Sequence, residues 1–220
     1  GRFSQFHSWE EVHAYLNIFG APRNLPARYN IAPTQDAVVV RHRAEGRALD
    51  FLRWGLVPSW AKDNSMAARM INARAETVAD KPSFRGAFRK RRCLVPADGF
   101  YEWRGAKGAK QPYRILSADG GMFAFAGLWE TWNTPGGDTV HTCTILTTSA
   151  NETLAPIHSR MPVILPREAE NIWLDHTVQD KSLLNSLFVP YDPDDTVAYE
   201  VSTLVNSAAN NVPEAISPIA

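Results

Sequence analysis

The first clear periodicity lies near the amino end. Ser8 stands where a helix N-cap belongs, Glu11 follows three residues on as its capping-box partner, and Val12, Tyr15, Leu16 and Phe19 recur at helical spacing up to a stop at Gly20. Beyond it the period changes. Asp36–Arg43 and Ala48–Trp54 read as paired strands joined through Ala44-Glu45-Gly46. Trp54–Asn64 reads as loop and Pro82–Phe88 as a short helix. Strands are then predicted at Arg92–Val95, Gly99–Arg104, Gln111–Ser117, Met122–Trp129 and Val140–Thr147. The turns between them fall at Gly105–Lys110, Asp119-Gly120-Gly121 and Pro135-Gly136-Gly137-Asp138. A helix from Asn151 towards Ile157, a strand Met161–Leu165, helices over Glu168–Leu174 and Lys181–Phe188, and a strand Ala198–Val205 precede an irregular tail. Strands dominate and hairpins outnumber helical crossovers. The pattern predicts one α+β domain on a curved, mostly antiparallel, barrel-like sheet with flanking helices, its core at about 1–205 and its tail at 206–220.

Composition narrows the class. The chain has 220 residues, 45% of them hydrophobic, enough for a core that folds without covalent staples. Two cysteines, Cys93 and Cys143, cannot make a disulfide framework, and no zinc-ligand spacing occurs, so neither metal nor cofactor is expected. No apolar run reaches membrane-spanning length and no signal-peptide pattern opens the chain. The expectation is a cytoplasmic monomer. Residue 1 is Gly rather than Met, which implies that at least one residue precedes it in the native protein.

Net charge is zero, yet it is unevenly spread. Residues 61–120 hold 13 basic and 6 acidic side chains, whereas residues 121–220 hold 3 and 12. Arg69, Arg74, Arg85 and the run Arg89-Lys90-Arg91-Arg92 supply most of the positive charge. A polarised molecule of this kind can hold a polyanion on one face, although a basic run also serves as an ordinary solvated surface.

Four groups of residues carry candidate chemistry. In Ile71-Asn72-Ala73-Arg74-Ala75-Glu76-Thr77, Asn72 and Arg74 lie two apart and share a face of an extended strand, where Asn can orient a reacting group and Arg can hold a phosphate. In Asp98-Gly99-Phe100-Tyr101-Glu102-Trp103, a carboxylate sits between aromatics. It is either an outward residue of a half-buried strand or a desolvated acid suited to proton transfer. Pro156-Ile157-His158-Ser159-Arg160 sets His158 at an element junction, a position that suits function or plain packing. Arg28-Tyr29-Asn30-Ile31-Ala32-Pro33 and Trp54–Trp60 offer rigid surfaces for stacking on unpaired bases, or ordinary turn and core residues. Cys93, inside an apolar strand, reads as an inert buried thiol rather than a protease nucleophile.

Together these segments resemble the SRAP (SOS-response-associated peptidase) family. Gly1-Arg2-Phe3, Arg28-Tyr29-Asn30 with Ala32-Pro33, Trp54-Gly55-Leu56-Val57-Pro58, Ile71–Glu76, Asp98–Trp103 and His158-Ser159-Arg160-Met161-Pro162-Val163 match in the family's order, across Gly1 to about Val205. The resemblance implies a protein that binds single-stranded DNA and crosslinks itself to abasic sites, with lyase and thiol autopeptidase character. It implies a Cys directly before Gly1 as nucleophile. It also implies Asn72 positioning the amino terminus, Glu102 as acid/base, and His158 assisting sugar ring opening and crosslink reversal. Arg2, Arg74 and Arg160 would hold phosphates, Thr147 would add a contact, and Pro33 and Trp60 would wedge and stack. A bacterial or phage-borne protein, nucleoid-associated during DNA damage, fits the compact chain. A non-covalent reader of damaged or modified DNA and a thiol peptidase acting on proteins are the competing functions.

Overall fold

The computed structural model describes residues 1–106 and 108–219. In chain order the elements are β1 (Arg2–Gln5), α1 (Trp9–Leu16), β2 (Arg28–Ile31), β3 (Asp36–Arg43), β4 (Gly46–Trp54), β5 (Asn72–Arg74), α2 (Arg85–Lys90), β6 (Arg92–Ala97), β7 (Gly99–Arg104), β8 (Gln111–Ser117), β9 (Phe123–Asn133), β10 (Thr139–Ser149), β11 (Arg160–Pro162), α3 (Arg167–Leu174), α4 (Lys181–Ser186) and β12 (Thr196–Glu200). The architecture is α+β and sheet-dominated, as the hydrophobic pattern predicts.

Five strands close on themselves. β10 pairs with β4, β4 with β3, β3 with β6, β6 with β9, and β9 returns to β10. All of these pairings are antiparallel except the parallel step from β10 to β4; β5 also runs parallel to β10. A second sheet, in the order β12-β8-β7-β1-β2, packs against this barrel. Alternation along the strands divides the core. Ala37, Val39, Leu52, Cys93, Val95 and Phe125 join Phe3, Ile31, Phe100 and Ile115 of the second sheet in one cluster. Val38, Val40, Leu94, Ala126 and Leu146 face the other way, against Leu16, Phe88, Trp173 and Leu184 of the helices. Burying each such large side chain stabilises the fold by about 2 kcal/mol. The first interior is narrow: a Cβ at Gly127 would stand 2.9 Å from Cys93 Sγ. Both thiols are fully buried, and burial pushes both up, Cys143 to about 12, so neither is a nucleophile.

The capping box at Ser8 and Glu11 is present with both of its hydrogen bonds. The helix stops earlier than predicted, because Asn17 takes the left-handed C-cap conformation with a φ of 50°, ahead of Gly20. The hairpin after β3 is tighter, with Arg43 opposite Gly46. Four-residue β1 and β2 are too short to leave a periodic signal. Asn151–Ile157 forms turns instead of a helix; the Asn151 side chain accepts from Leu154 N and donates to Tyr191 O and Thr196 Oγ1. The predicted strand at 161–165 is β11 plus a single bridge from Ile164 to Phe125. The last strand ends at Glu200, and Thr203–Asn206 is a 3-10 turn. The tail docks: Ala215 is fully buried, and Val201 bridges Pro218. In the predicted turn Gly105–Lys110, Lys107 lies outside the described residues, as does Ala220 of the tail.

Candidate active site and nucleic-acid interface

The site is built on Trp54. Gly55 follows it with a φ of 131°, and a Cβ there would stand 2.6 Å from the Ala67 carbonyl oxygen, so the bend needs glycine for conformation and for space. The bend buries the Trp54 ring, whose Nε1 donates to the Ile71 carbonyl oxygen at 2.9 Å. That anchor sets β5 alongside Ile145–Thr147 of β10. Ala73 is buried, so its neighbours Asn72 and Arg74 leave the opposite face of β5 and line a cavity of about 230 Å³.

Gly1 enters the same cavity from β1. Its α-carbon rests on the Trp54 ring so closely that a Cβ would meet Cη2 at 3.0 Å. Glu102, Thr147, His158 and Arg160 complete the wall. Gly1, Glu102 and His158 also border an adjoining groove of about 710 Å³, whose far side is Trp103, Lys110, Thr203 and Asn206. Burial pulls the Gly1 α-amine below its ordinary value; nearby Glu102 opposes that shift and Arg2 adds to it. Burial pushes the Glu102 carboxyl above the usual carboxylate range, partly offset by His158, the amino terminus and Lys110.

His158 Nε2 lies 3.9 Å from Glu102 Oε2. His158 Nδ1 lies 3.1 Å from the Arg160 backbone nitrogen and 3.0 Å from the Arg160 carbonyl oxygen, so the backbone of Arg160 serves either neutral tautomer and orients Nε2 towards Glu102. The Arg160 guanidinium donates to both Glu76 oxygens, at 2.5 and 2.9 Å, and to the Thr147 carbonyl oxygen at 2.5 Å. These bonds aim it along the cavity rim and hold Glu76 below its ordinary value. The arrangement brings an amine biased towards its neutral form, a carboxyl biased towards its protonated form and the Arg74 and Arg160 guanidinium groups to one cavity.

Of the sequence-predicted residues, Asn72, Arg74, Glu102, Thr147, His158 and Arg160 share the cavity wall, and so does Arg2. The Arg2 guanidinium is engaged, donating to Asn30 Oδ1 at 2.9 Å and to the Val205 and Asn206 carbonyl oxygens at 2.6 and 3.2 Å. Pro33 and Trp60 lie outside the wall. Pro33 is half-buried ahead of Thr34, and Trp60 is 62% exposed on the loop after β4. Lys110, Thr203 and Asn206 had no local signal; long-range folding alone brings them to the groove. The basic run needs correction as a source of surface charge. Arg92 is buried and donates to the backbone carbonyls of Phe88, Trp173, Asp175 and Val178, and Arg91 pairs with Glu130 at 2.7 Å. Burial lowers the Arg92 guanidinium to about 10.

Among the described residues no helix is long and apolar enough to cross a membrane. The chain is 47% identical over 219 residues to the abasic site processing protein YoqW of Bacillus subtilis, covering 98% of each chain. It is 34% identical to the abasic site processing protein HMCES of Gallus gallus, covering 87% of this chain and 66% of that protein. A crystal structure of a Bacteroides thetaiotaomicron protein superposes with a TM-score of 0.89 at 26% identity, over 100% of this chain and 99% of that one. The profile of the SOS response associated peptidase (SRAP) family matches residues 1–208, six separated motifs fall on one fold, and the chain belongs to that family.

Proposed function

We propose that this protein processes abasic sites in DNA by binding a single strand across the cavity and bonding covalently to the exposed sugar. The observation that carries the reading is the placement of the chain's amino end beside Glu102, in a cavity that also holds His158 and Asn72. An abasic sugar in its open form presents an aldehyde. An α-amine on a residue at this end attacks the aldehyde carbon, giving a carbinolamine. Protonated Glu102 donates to the departing hydroxyl, which leaves as water, and an imine remains. His158 donates a hydrogen bond to the ring oxygen as the sugar opens, and Asn72 orients the amine. With a Cys ahead of Gly1, its thiol adds to the imine carbon and the sulfur's proton passes to nitrogen, closing a five-membered thiazolidine. One water leaves overall and nothing is oxidised or reduced. Arg74 and Arg160 hold the flanking phosphates, and exposed Trp60 stacks on an unpaired base.

Intact mass after incubation with an abasic single strand tests this. The chain beginning at Gly1 is expected to give a DNA-sized adduct only when borohydride reduces the imine. The chain extended by Cys is expected to give one without reductant. Undamaged strands should give neither. Tight binding with no adduct under any of these conditions would favour a non-covalent reader.

A further inference from the structure

The strands that carry the reactive groups have a second face. On β1 and β7, Phe3, Phe100 and Glu102 point towards the barrel and cavity; Arg2 and Tyr101 border the cavity too, but the Arg2 guanidinium, the Tyr101 hydroxyl and the Trp103 indole N–H bond to groups on the other face. Arg2 follows Gly1 directly, and Trp103 follows Glu102 directly; Arg2 and Tyr101 are partners in the β1–β7 ladder. This outer face is covered by the C-terminal segment 203–211. Arg2 donates to the Val205 and Asn206 carbonyl oxygens, and Trp103 Nε1 donates to Asn206 Oδ1 at 2.8 Å. Asn30, fully buried on β2, joins the two: its Oδ1 accepts from Arg2, and its Nδ2 lies 3.2, 2.9 and 3.0 Å from the carbonyl oxygens of Val205, Ser207 and Asn210. Asn211 extends the grip, accepting from Tyr29 N at 2.7 Å. Val205 packs on Tyr101 beneath these bonds.

The geometry points to a clasp: segment 203–211, acting through Asn30, Arg2 and Trp103, fixes the amino end of β1 against the Glu102 carboxylate. The inference rests on the reading of the cavity given above. It makes Asn30, buried away from the cavity, a positioning residue, and gives Asn206 the same role at the groove's edge. An amine and an acid that must act on the same sugar carbon gain from such rigidity, since a misplacement of about 1 Å can cost about a hundredfold in rate. Burial of the amine and of the carboxyl depends on the same packing, so loosening the clasp hydrates both. The charged and titratable groups facing Glu102 are His158, the amino terminus and Lys110, and none of them is altered by the variants below.

Two variants test the clasp. Asn30→Ala removes its hub, and Asn206→Ala, at an exposed position, removes the Trp103 latch should the first variant fail to fold. Two readouts are taken on each folded protein: the titration midpoint of the 13C-labelled Glu102 carboxyl, and the single-turnover rate of borohydride-trapped adduct at saturating abasic strand. We expect the Glu102 midpoint to fall towards the ordinary value near about 4.3. The adduct rate should fall about tenfold for Asn30→Ala and less for Asn206→Ala. Strand affinity should stay within about twofold for Asn30→Ala, because only the reactive geometry is lost. A Glu102 midpoint that stays in place in folded variants would overturn the clasp, whatever the stability of those variants. Absence of adduct from the unaltered protein would instead defeat the covalent reading, and the Glu102 midpoint would still decide the clasp.

Discussion

Strand β7 and the residue before it carry two histidine–carboxylate pairs, and their contrast separates structure from chemistry. His7 meets Asp98 in direct contact; the Asp98 side chain is 3% exposed and also accepts the Phe6 N–H at 2.5 Å. Both contacts of the Asp98 carboxylate come from the protein itself, and the pair joins the segment after β1 to the start of β7. His158 and Glu102 stand 3.9 Å apart, with side chains 42% and 20% exposed, at the junction of two cavities. Glu102 is desolvated but not satisfied. The same two residue types thus serve as a staple beside the start of β7 and, in the function proposed above, as a reactive pair further along it. Separation and access decide which.

The sharpest way to break that contrast is to neutralise each carboxylate. Glu102→Gln is expected to slow adduct formation by at least about a hundredfold, measured as single-turnover trapping on an abasic strand. Asp98→Asn should leave that rate nearly unchanged but lower unfolding stability by about 3 kcal/mol, read from denaturant midpoints, because a buried pair loses one charge. The reverse outcome, a large rate loss from Asp98→Asn without loss of stability, would refute the division.

Linkage sharpens it further. Burial raises the Glu102 carboxyl in the folded state, so the fold binds that proton more tightly than the unfolded chain does. The associated stabilisation is fully present below the unfolded value and is lost as pH rises through the folded one. Glu102→Gln should therefore be more stable than the unaltered protein at neutral pH, with the gap closing below about pH 4. Thermal midpoints at the two pH values check this. A gap that widens on acidification would mean that Glu102 is not desolvated.

Two arginines extend the comparison to DNA. Arg74→Ala, at the cavity wall, should weaken binding of undamaged single strands and reduce the salt slope by about one. Arg92→Met should leave the slope unchanged and destabilise the fold, since Arg92 serves the carbonyls at the end of α3. Equal slopes for both variants would place the strand elsewhere. The smallest effect is expected from Lys110→Met, a roughly twofold change in adduct rate through the weakest of the three influences on Glu102.

Much of this molecule is legible one strand at a time. The period-two runs of β3, β6, β9 and β10 and the capping box of α1 follow from local alternation and from a side chain within three residues of its partner. The pairing of Asn72 with Arg74 on one face of β5 is visible for the same reason. The family motifs also mark Glu102 and His158 as members of one site, although chemistry in isolation left each of them open. Other features depend on contacts between residues far apart in the chain. Helical propensity at 151–157 yields to Asn151, whose amide is claimed by residues 40 and 45 positions away. The charge run at 89–92 looks like a surface until α3 covers Arg92. Nothing local shows that Asn30 and Arg2 are tied to segment 203–211. Local spacing is enough to set which face a side chain takes, because backbone geometry alone governs alternation. Whether that face meets water, a carbonyl or a carboxylate depends on contacts across 40 to 204 residues of chain, and burial and hydrogen bonding then assign each charge its role.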